Sequence, residues 1–176
     1  AIKAKLYYIK YSNEITVATT RPETMFGDTA VAVNPTDERY KKLIGTKIKL
    51  PLTNREIPII YSGRIEKEFG TGCLKVTPAH APDDYTIMNE WNIEAESKGM
   101  EKIGYVNVID KFAKLLPTTG EFSGLKTLEA REKVVAKLTE MGLIVKTEEI
   151  DQNIVVGERT KAIIEPLISR QWFVNV

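Results

Sequence analysis

The stretch ITVATTRPETMFGDTAVAV, residues 15–33, contains the pattern that decides the fold. Residues 15–18 and 29–33 are runs of small and β-branched side chains, which are typical of buried strands. Between these runs, Pro22 and Gly27 interrupt the pattern and predict a loop or a short helical turn. The stretch therefore predicts two buried strands joined by a short polar segment.

The residues on either side of this stretch add further strands. Residues 3–10 alternate roughly between polar and apolar side chains, and the turn signal at Ser12 and Asn13 predicts that they return into residues 15–18. The same criteria predict short strands over residues 47–50, 56–60, 73–77, 105–109, 143–146, 154–156 and 162–164.

Three helices are predicted between these strands. The clearest covers residues 127–141, where Thr127 is expected to cap the start and Gly142 to end the helix. Its apolar stripe consists of Leu128, Val134, Val135, Leu138 and Met141. A second helix is expected to begin near Pro82 and to line one face with Tyr85, Met88 and Trp91. A short third helix is expected over residues 35–44.

Strands outnumber helices in this prediction, and the two do not alternate regularly along the chain. A doubly wound parallel sheet needs such alternation, so the pattern favours an α+β domain with a mixed, β-barrel-like arrangement of strands and short flanking helices. A chain of 176 residues is long enough to form one such domain around a hydrophobic core.

The composition excludes several kinds of site. The 25 basic residues almost balance the 24 acidic ones, so a net charge of +1 gives no general attraction for nucleic acid. Cys73 and His80 are the only residues of their types, which excludes an internal disulfide and a cysteine-rich zinc site. No apolar run reaches the roughly 18 to 20 residues that a membrane helix needs. We therefore expect a cytoplasmic protein without membrane contact.

Polar residues gather where the second strand is predicted to end, in the segment TTRPET, residues 19–24. The hydroxyls of Thr19 and Thr20 and the guanidinium of Arg21 can hold a polar ligand at a strand end. A capped turn, in which the threonines bond to backbone groups and the arginine is solvated, explains the same residues and is the commoner case.

A second polar segment, GTGCLKVTPAHAPDD, covers residues 70–84. Asp83 and Asp84 at a helix start can bind an ammonium group, or they are simply a favourable first-turn charge pair. His80 is more often structural than catalytic in such a position. Lys75 is less routine, because a lysine that faces inward from a strand needs a partner or a ligand.

Together these segments closely resemble the editing domain inserted in class I valyl-tRNA synthetases. The resemblance rests on residues 19–40 and 70–85, and it continues in GLKTLEAREKVVAKLTEMGLIVK, residues 124–146, and ERTKAIIEPLISRQWFV, residues 158–174. It implies that residues 1–176 are a single editing domain of a larger synthetase. The sequence contains no HIGH-type or KMSKS-type motif, so this piece is not expected to charge tRNA, and ATP binding would belong to the full-length enzyme.

The resemblance implies an aminoacyl-tRNA deacylase that acts after transfer. An apolar pocket for valine cannot strongly reject threonine, which has nearly the same shape, so a second, polar site removes the wrong amino acid. The implied reaction is hydrolysis of the ester of threonyl-tRNA(Val). The implied partners are the acceptor end of that tRNA and the rest of the synthetase, and neither a cofactor nor a metal is expected.

The resemblance also implies which residues form the site. Asp84 and Thr24 are the implied catalytic residues. The implied substrate-binding residues are Thr19, Thr20, Arg21, Glu23, Lys75, His80 and Asp83. In this assignment Lys75 contacts the threonine hydroxyl and Asp84 pairs with the α-ammonium group. Thr20, Arg21 and Thr24 line the site and hold the terminal adenosine or the ester carbonyl, while a positioned water molecule attacks.

Ala81 departs from the family pattern, which usually has aspartate directly after the histidine. The loss of this carboxylate puts the hydrolytic rate in question and leaves open a weakened module that only binds the tRNA acceptor end. The other alternative is an editing domain of a leucyl or isoleucyl enzyme. Leucyl enzymes usually carry aspartate where this chain has Glu23 and an apolar residue at the position of Lys75, so Lys75 points most clearly to valine.

Overall fold

The computed structural model describes residues 2–153, 155–158 and 163–169. Within these residues the chain forms seven strands, two α-helices and three short 3-10 turns. The strands are β1 (Ile2–Lys10), β2 (Thr16–Thr19), β3 (Ala30–Val33), β4 (Lys47–Lys49), β5 (Glu56–Tyr61), β6 (Cys73–Val76) and β7 (Ile144–Gln152). The helices are α1 (Pro82–Lys98) and α2 (Thr127–Glu140), and the turns are Pro22–Gly27, Lys41–Leu43 and Pro117–Phe122.

The strands form two sheets. The first has the order β2-β1-β7 and is antiparallel throughout, with Tyr7 of β1 opposite Thr19 of β2. The second has the order β4-β5-β3-β6, in which β3 and β5 are parallel and the other pairs are antiparallel. The predicted α+β class and the predicted β1–β2 hairpin are confirmed.

The four-stranded sheet has a hydrophobic core on each face. Val31 and Val33 of β3 face the larger core, which β1, β2 and α2 also line. Ala30 and Ala32 face the smaller core, which α1 covers. Because successive side chains of a strand point to opposite faces, all four residues of β3 are buried. A sheet covered on both faces does not close around an interior of its own, so the described strands form no closed barrel.

Helix α1 begins at Pro82 as predicted, and it ends at Gly99, which has a left-handed backbone with φ of 65°. Its buried face runs through Asp84, Ile87, Met88, Trp91 and Ala95. Tyr85 was predicted on this face and is instead 39% exposed, because it lies one position past Asp84 in the helical repeat. A polar residue, Asp84, therefore takes the buried position in the first turn.

Helix α2 matches its prediction in extent but not in all of its buried positions. Ala130, Val134 and Leu138, spaced four residues apart, face the core. Leu128 and Met141 were predicted in the apolar stripe and are at least half exposed. The cap is Lys126 rather than Thr127, and no side chain bonds to the first turn.

Two predicted elements that precede α2 are wrong. The helix expected over residues 35–44 is reduced to the Lys41–Leu43 turn, since the side chains of Asn34 and Asp37 bond to nearby backbone N–H groups and compete with helix formation. Residues 105–109 form no strand, and their ladder is limited to one bridge from Ile109 to Leu115. The N–H of Val108 is instead donated to a histidine ring.

The C-terminal part differs from its prediction in length. The strand predicted over residues 143–146 is the start of β7, which continues to Gln152. A single isolated bridge joins Val156 to Ile163, and the described residues of the predictions over 154–156 and 162–164 form no strand. Residues 154 and 162, at the ends of those two predictions, lie outside the described residues. No helix in the described ranges is long and apolar enough to cross a membrane.

Candidate functional site

The end of β6, the Pro22–Gly27 turn and the first turn of α1 meet beside the four-stranded sheet. Lys75 of β6 pairs with Val31 of β3, and this register places Lys75 and Thr77, two residues later, where these elements meet. The turn contributes Thr24, and Asp28 follows it directly. We call Thr24, Asp28, Lys75 and Thr77 the lysine cluster.

The ammonium group of Lys75 is buried and fully bonded within the lysine cluster. Its Nζ atom donates to Thr24 Oγ1 at 2.9 Å, to Asp28 Oδ1 at 3.0 Å and to Thr77 Oγ1 at 2.6 Å. An ammonium group has three donors, so these three acceptors use all of them. The prediction that an inward-facing Lys75 needs a partner is therefore confirmed, and the partner lies within the protein.

Asp28 is the residue of this site that sequence reasoning missed. It is fully buried and also accepts hydrogen bonds from Thr77 Oγ1 at 2.7 Å and from the phenol of Tyr11 at 2.6 Å. Burial raises the pKa of Asp28, and the Lys75 cation opposes that rise. Burial also raises the pKa of Tyr11 well above its ordinary value, so this phenol stays a hydrogen-bond donor. The available signal was Lys75, because a buried cation requires an anion nearby.

Asp84 joins the lysine cluster through Thr77, whose backbone N–H donates to Asp84 Oδ2 at 2.7 Å. Asp84 is 8% exposed, and this burial raises the pKa of its carboxyl group to about 6, whereas the hydrogen bond from the N–H of Thr77 lowers it. Asp83, one position earlier, is exposed. Of the two neighbouring aspartates, therefore, only Asp84 is buried and faces the lysine cluster.

Glu23 is fully buried between two arginines. Arg131 of α2 binds it through both ends of its guanidinium, with Nε and Nη2 each 2.8 Å from a carboxylate oxygen. The Nε atom of Arg21 lies 3.4 Å from the same carboxylate. Both oxygens of Glu23 are thus held by protein donors, which makes it a support for the turn. Arg131 was not singled out from the sequence.

Arg21 lies at the edge of the site, with about a quarter of its side chain exposed. Its Nη1 atom donates to the carbonyl of His80 at 3.3 Å, and its Nη2 atom bonds to the carboxylate of Glu165. Glu165 and Pro166 therefore lie against Arg21 and His80.

The ring of His80 is buried and has both nitrogens engaged. Nε2 accepts the N–H of Val108 at 2.9 Å, so Nδ1 carries the proton and faces the carbonyl of Pro166 at 3.3 Å. Burial lowers the pKa of His80 to about 4. A neutral ring with both nitrogens in use is a structural group, as the sequence suggested for an isolated histidine.

The threonines of residues 19–24 have different partners. Thr19 Oγ1 accepts the N–H of Arg21 at 3.0 Å, which confirms the capped-turn interpretation for this residue. Thr20 Oγ1 accepts from the amide of Gln152 at 3.1 Å. Thr24 Oγ1 donates to the carbonyl of Arg21 at 2.9 Å while accepting from Lys75. Of the three, only Thr24 belongs to the lysine cluster.

Valine–tRNA ligases of several bacteria match this chain over nearly its whole length. The proteins of Wolinella succinogenes, Carboxydothermus hydrogenoformans and Thermotoga maritima are 49%, 47% and 46% identical to it, over 99%, 99% and 98% of the chain. The chain belongs to the valyl-tRNA synthetase family. It spans 19% of the length of each of these three relatives. No family model matches the chain.

These relatives are valine–tRNA ligases, which is the family that the resemblance and Lys75 indicated, rather than the leucyl or isoleucyl family. The resemblance to class I editing domains also makes Ala81 notable, because the family pattern has aspartate there. In the structure Ala81 caps α1 with an extended backbone, φ −142° and ψ 116°, and without a side-chain hydrogen bond.

A cavity of about 300 Å³ lies beside β2 and the start of β6, and no residue of the lysine cluster lines it. Its lining includes Ala18 and Leu74, the chain neighbours of Thr19 and Lys75, together with Phe69 and Cys73. The ring of Phe69 is 61% exposed. This mostly apolar recess with an exposed aromatic ring is suited to a flat, partly apolar group such as a nucleobase. Two larger cavities, of about 480 Å³ each, share residues 52–54 in their linings, and one of them is lined by Tyr11, which bonds to Asp28.

Replacing Ala81 by aspartate is expected to stabilise the domain. An N-cap carboxylate accepts a free N–H of the first turn, which contributes about 1 kcal/mol, or roughly 2–4 °C in Tm for a chain of this size. Differential scanning calorimetry measures the change. We also expect Ala81→Asp to raise or preserve deacylation of threonyl-tRNA(Val).

Ala81→Asn is the matched control, because it caps the helix without adding charge beside Asp83 and Asp84. An unchanged Tm in both variants would contradict the inference that α1 lacks a stabilising hydrogen bond at its N-cap. A clear loss of deacylation in Ala81→Asp alone would mean that this site departs from the family pattern.

Proposed function

We propose that this domain hydrolyses the ester of threonyl-tRNA(Val) and so edits tRNA(Val) after transfer. The observation that carries the proposal is the lysine cluster with Asp84 beside it. A buried group of one cation, two hydroxyls and carboxylates favours a ligand that supplies its own polar groups. Valine would leave polar atoms of such a site without partners, and an unpaired buried polar group costs roughly 1–3 kcal/mol.

Asp84 would bind the α-ammonium group of the aminoacyl ester. Its Oδ2 atom accepts from Thr77, whereas no hydrogen bond within the described ranges engages Oδ1. A buried carboxylate with one free oxygen at the positive end of a helix attracts an ammonium group through charge and can bond to it directly. Asp83 has the same charge but faces solvent, so it would contribute little.

Arg21 and the cavity at Phe69 would hold the nucleotide end of the substrate. The partly exposed guanidinium can donate to the ester carbonyl or to the ribose and phosphate of the terminal adenosine. The recess at Phe69 and Leu74 would receive the adenine ring. The acceptor end would then lie across β2 and β6, with the amino acid against the lysine cluster.

Direct attack by water fits the surrounding groups better than a covalent intermediate does. Cys73 is buried and its pKa is raised to about 11, so it remains a thiol at neutral pH. His80 has no free nitrogen to act as a base. Thr24 donates its hydroxyl hydrogen to a backbone carbonyl, and its remaining lone pair would position the attacking water molecule.

A second candidate function is binding of the tRNA acceptor end without hydrolysis. It is favoured by Ala81, which removes a carboxylate that the family pattern places next to the histidine. In both cases the partners would be tRNA(Val) in the cytoplasm and the rest of a synthetase. The near-neutral charge supports weak binding by the domain alone, with strong sensitivity to salt.

The proposal predicts that the chain deacylates threonyl-tRNA(Val) and leaves valyl-tRNA(Val) largely intact. The experiment follows release of labelled amino acid from both esters at low salt, with leucyl-tRNA and isoleucyl-tRNA alongside. Binding of threonyl-tRNA(Val) without hydrolysis would support the second candidate. Equal hydrolysis of all four esters, or neither binding nor hydrolysis, would contradict the proposal.

A further inference from the structure

The hydrogen-bond directions within the lysine cluster are fixed by the chemistry of its members. Lys75 has donors and no acceptor, whereas the carboxylate of Asp28 and the carbonyl of Arg21 accept only. Thr77 must therefore donate its hydroxyl hydrogen to Asp28, at 2.7 Å, and Thr24 must donate its own to the carbonyl of Arg21, at 2.9 Å. Both hydroxyl oxygens accept from Lys75.

These directions determine what the cluster can offer to a ligand. All three hydrogens of Lys75 and both threonine hydroxyl hydrogens are already used inside the protein. Each threonine oxygen keeps one lone pair, so Thr24 and Thr77 can still accept a hydrogen bond but cannot donate one. Because Thr24 is assigned to the attacking water molecule, the substrate side chain would reach Thr77 and must bring the hydrogen itself.

We propose that Asp28, held by Tyr11, is a positioning residue that sets this direction and makes the site select side chains that donate a hydrogen bond. Asp28 takes the hydrogen of Thr77 on one oxygen, and Tyr11 fixes the carboxylate by donating to the other at 2.6 Å. This inference rests on the proposed editing function. It assigns Lys75 an indirect part, in which it orients the two hydroxyls rather than contacting the substrate hydroxyl.

The test compares three non-hydrolysable amides of aminoadenosine, which carry threonine, O-methylthreonine or valine. Their dissociation constants are measured by calorimetry on the whole chain. The unaltered protein is expected to bind the threonyl amide at least about 10-fold more tightly than either analogue, which is the value of one hydrogen bond of roughly 1.4 kcal/mol. O-methylthreonine keeps the oxygen as an acceptor, so it isolates the missing donor.

The informative variant is Asp28→Ala, which removes the acceptor of the Thr77 hydroxyl hydrogen and frees that hydrogen to point toward the ligand. Asparagine is unsuitable, because Lys75 and Thr77 donate to the same oxygen of Asp28, so the amide would keep its carbonyl oxygen there. The ratio of O-methylthreonyl to threonyl dissociation constants is expected to fall by about 10-fold in Asp28→Ala. The steric cost of the methyl group is present in both proteins and cancels. Tyr11→Phe keeps the charges of Asp28 and Lys75 and is expected to lower the same ratio a few-fold, so it provides the test if Asp28→Ala fails to fold.

Thr29→Val is the matched control. Thr29 follows Asp28 in the chain, and its buried hydroxyl has no hydrogen-bond partner within the described ranges, so the ratio should not change. An unchanged ratio in folded Asp28→Ala, or in Tyr11→Phe where Asp28→Ala does not fold, would overturn the inference and leave the editing function intact. Equal binding of the threonyl and O-methylthreonyl amides to the unaltered protein would overturn it as well. Failure of the threonyl amide to bind at all would overturn both.

Discussion

Replacing Asp84 by asparagine is expected to lower kcat/KM for deacylation of threonyl-tRNA(Val) by about 100-fold, because a buried charge partner of the substrate is worth roughly 2–5 kcal/mol. Asparagine has nearly the same volume, and its Oδ1 can still accept the N–H of Thr77. The variant therefore removes the charge that would bind the α-ammonium group while keeping the bond that joins α1 to the lysine cluster.

The pH dependence provides a second readout of the same group. Burial raises the pKa of Asp84 to about 6, so kcat/KM is expected to fall as the pH falls through about 6. A step at this pH is usually attributed to histidine, but the chain has one histidine, and burial lowers the pKa of His80 to about 4. In Asp84→Asn the step near pH 6 should disappear.

Asp84→Asn is expected to lower activity without lowering stability at neutral pH. A carboxyl pKa that is raised by folding contributes stability below its unfolded value of 3.8, and this contribution is lost as the pH rises through about 6. Above pH 6 the charged form is the unfavourable one, so Asp84→Asn should not lower Tm at neutral pH. Loss of activity together with an unchanged Tm would separate the role in binding from a role in folding.

Asp83→Asn is the matched control for this prediction. It removes the same charge one residue away, from a side chain that is exposed. Deacylation by Asp83→Asn should remain within about twofold of the unaltered protein, since a surface charge contributes roughly 0–1 kcal/mol. Equal losses in the two variants would mean that the overall charge of the helix start matters and that the carboxylate of Asp84 has no specific part.

Replacing Arg131 by methionine is expected to reduce the free energy of unfolding by about 3 kcal/mol, or roughly 10 °C in Tm. The change leaves the fully buried carboxylate of Glu23 without its bidentate partner. Arg21 remains at 3.4 Å but is partly exposed, and it compensates only in part. Thermal and urea unfolding, followed by circular dichroism, would measure the loss.

Lys133→Met on the same helix is the matched control, because Lys133 pairs with Glu129 on the exposed surface. That variant should change the free energy of unfolding by less than about 1 kcal/mol. Combining Arg131→Met with Glu23→Gln should recover part of the loss, since the buried charge is then removed as well. Equal stability of the Arg131→Met and Lys133→Met variants would contradict the support that Arg131 gives to the Pro22–Gly27 turn.

The extent of a helix or strand could be predicted where its hydrophobic periodicity is long or where turn and capping residues mark its ends. The β1–β2 hairpin, the start of α1 at Pro82 and the extent of α2 followed from periodicity and capping residues. The helix over residues 35–44 and the strand over residues 105–109 did not form. In both places a side chain takes the backbone hydrogen bonds that the regular element would need, and this competition is not visible in hydrophobic periodicity.

The residues of the site also divide into those that the sequence predicted and those that it did not. Lys75, Thr24 and Asp84 were predicted from motifs, whereas Asp28, Tyr11 and Arg131 were not. The sequence states that a buried lysine needs an anion, but it contains 24 acidic residues and does not state which of them is the partner. That choice depends on the register of β3 against β6, which brings residues 47 positions apart into contact.

The sequence by itself determined the α+β class, the family to which the chain belongs and the segments that carry the polar residues. These properties depend on local patterns and on motifs, which can be read along the chain. Only the tertiary structure decided that Asp84 is buried while Asp83 is not, that His80 is neutral and fully bonded, and that Lys75 has no free donor. Burial and hydrogen-bond partners arise from contacts between distant strands and helices, and these contacts set the pKa values and the bond directions on which the proposed chemistry depends.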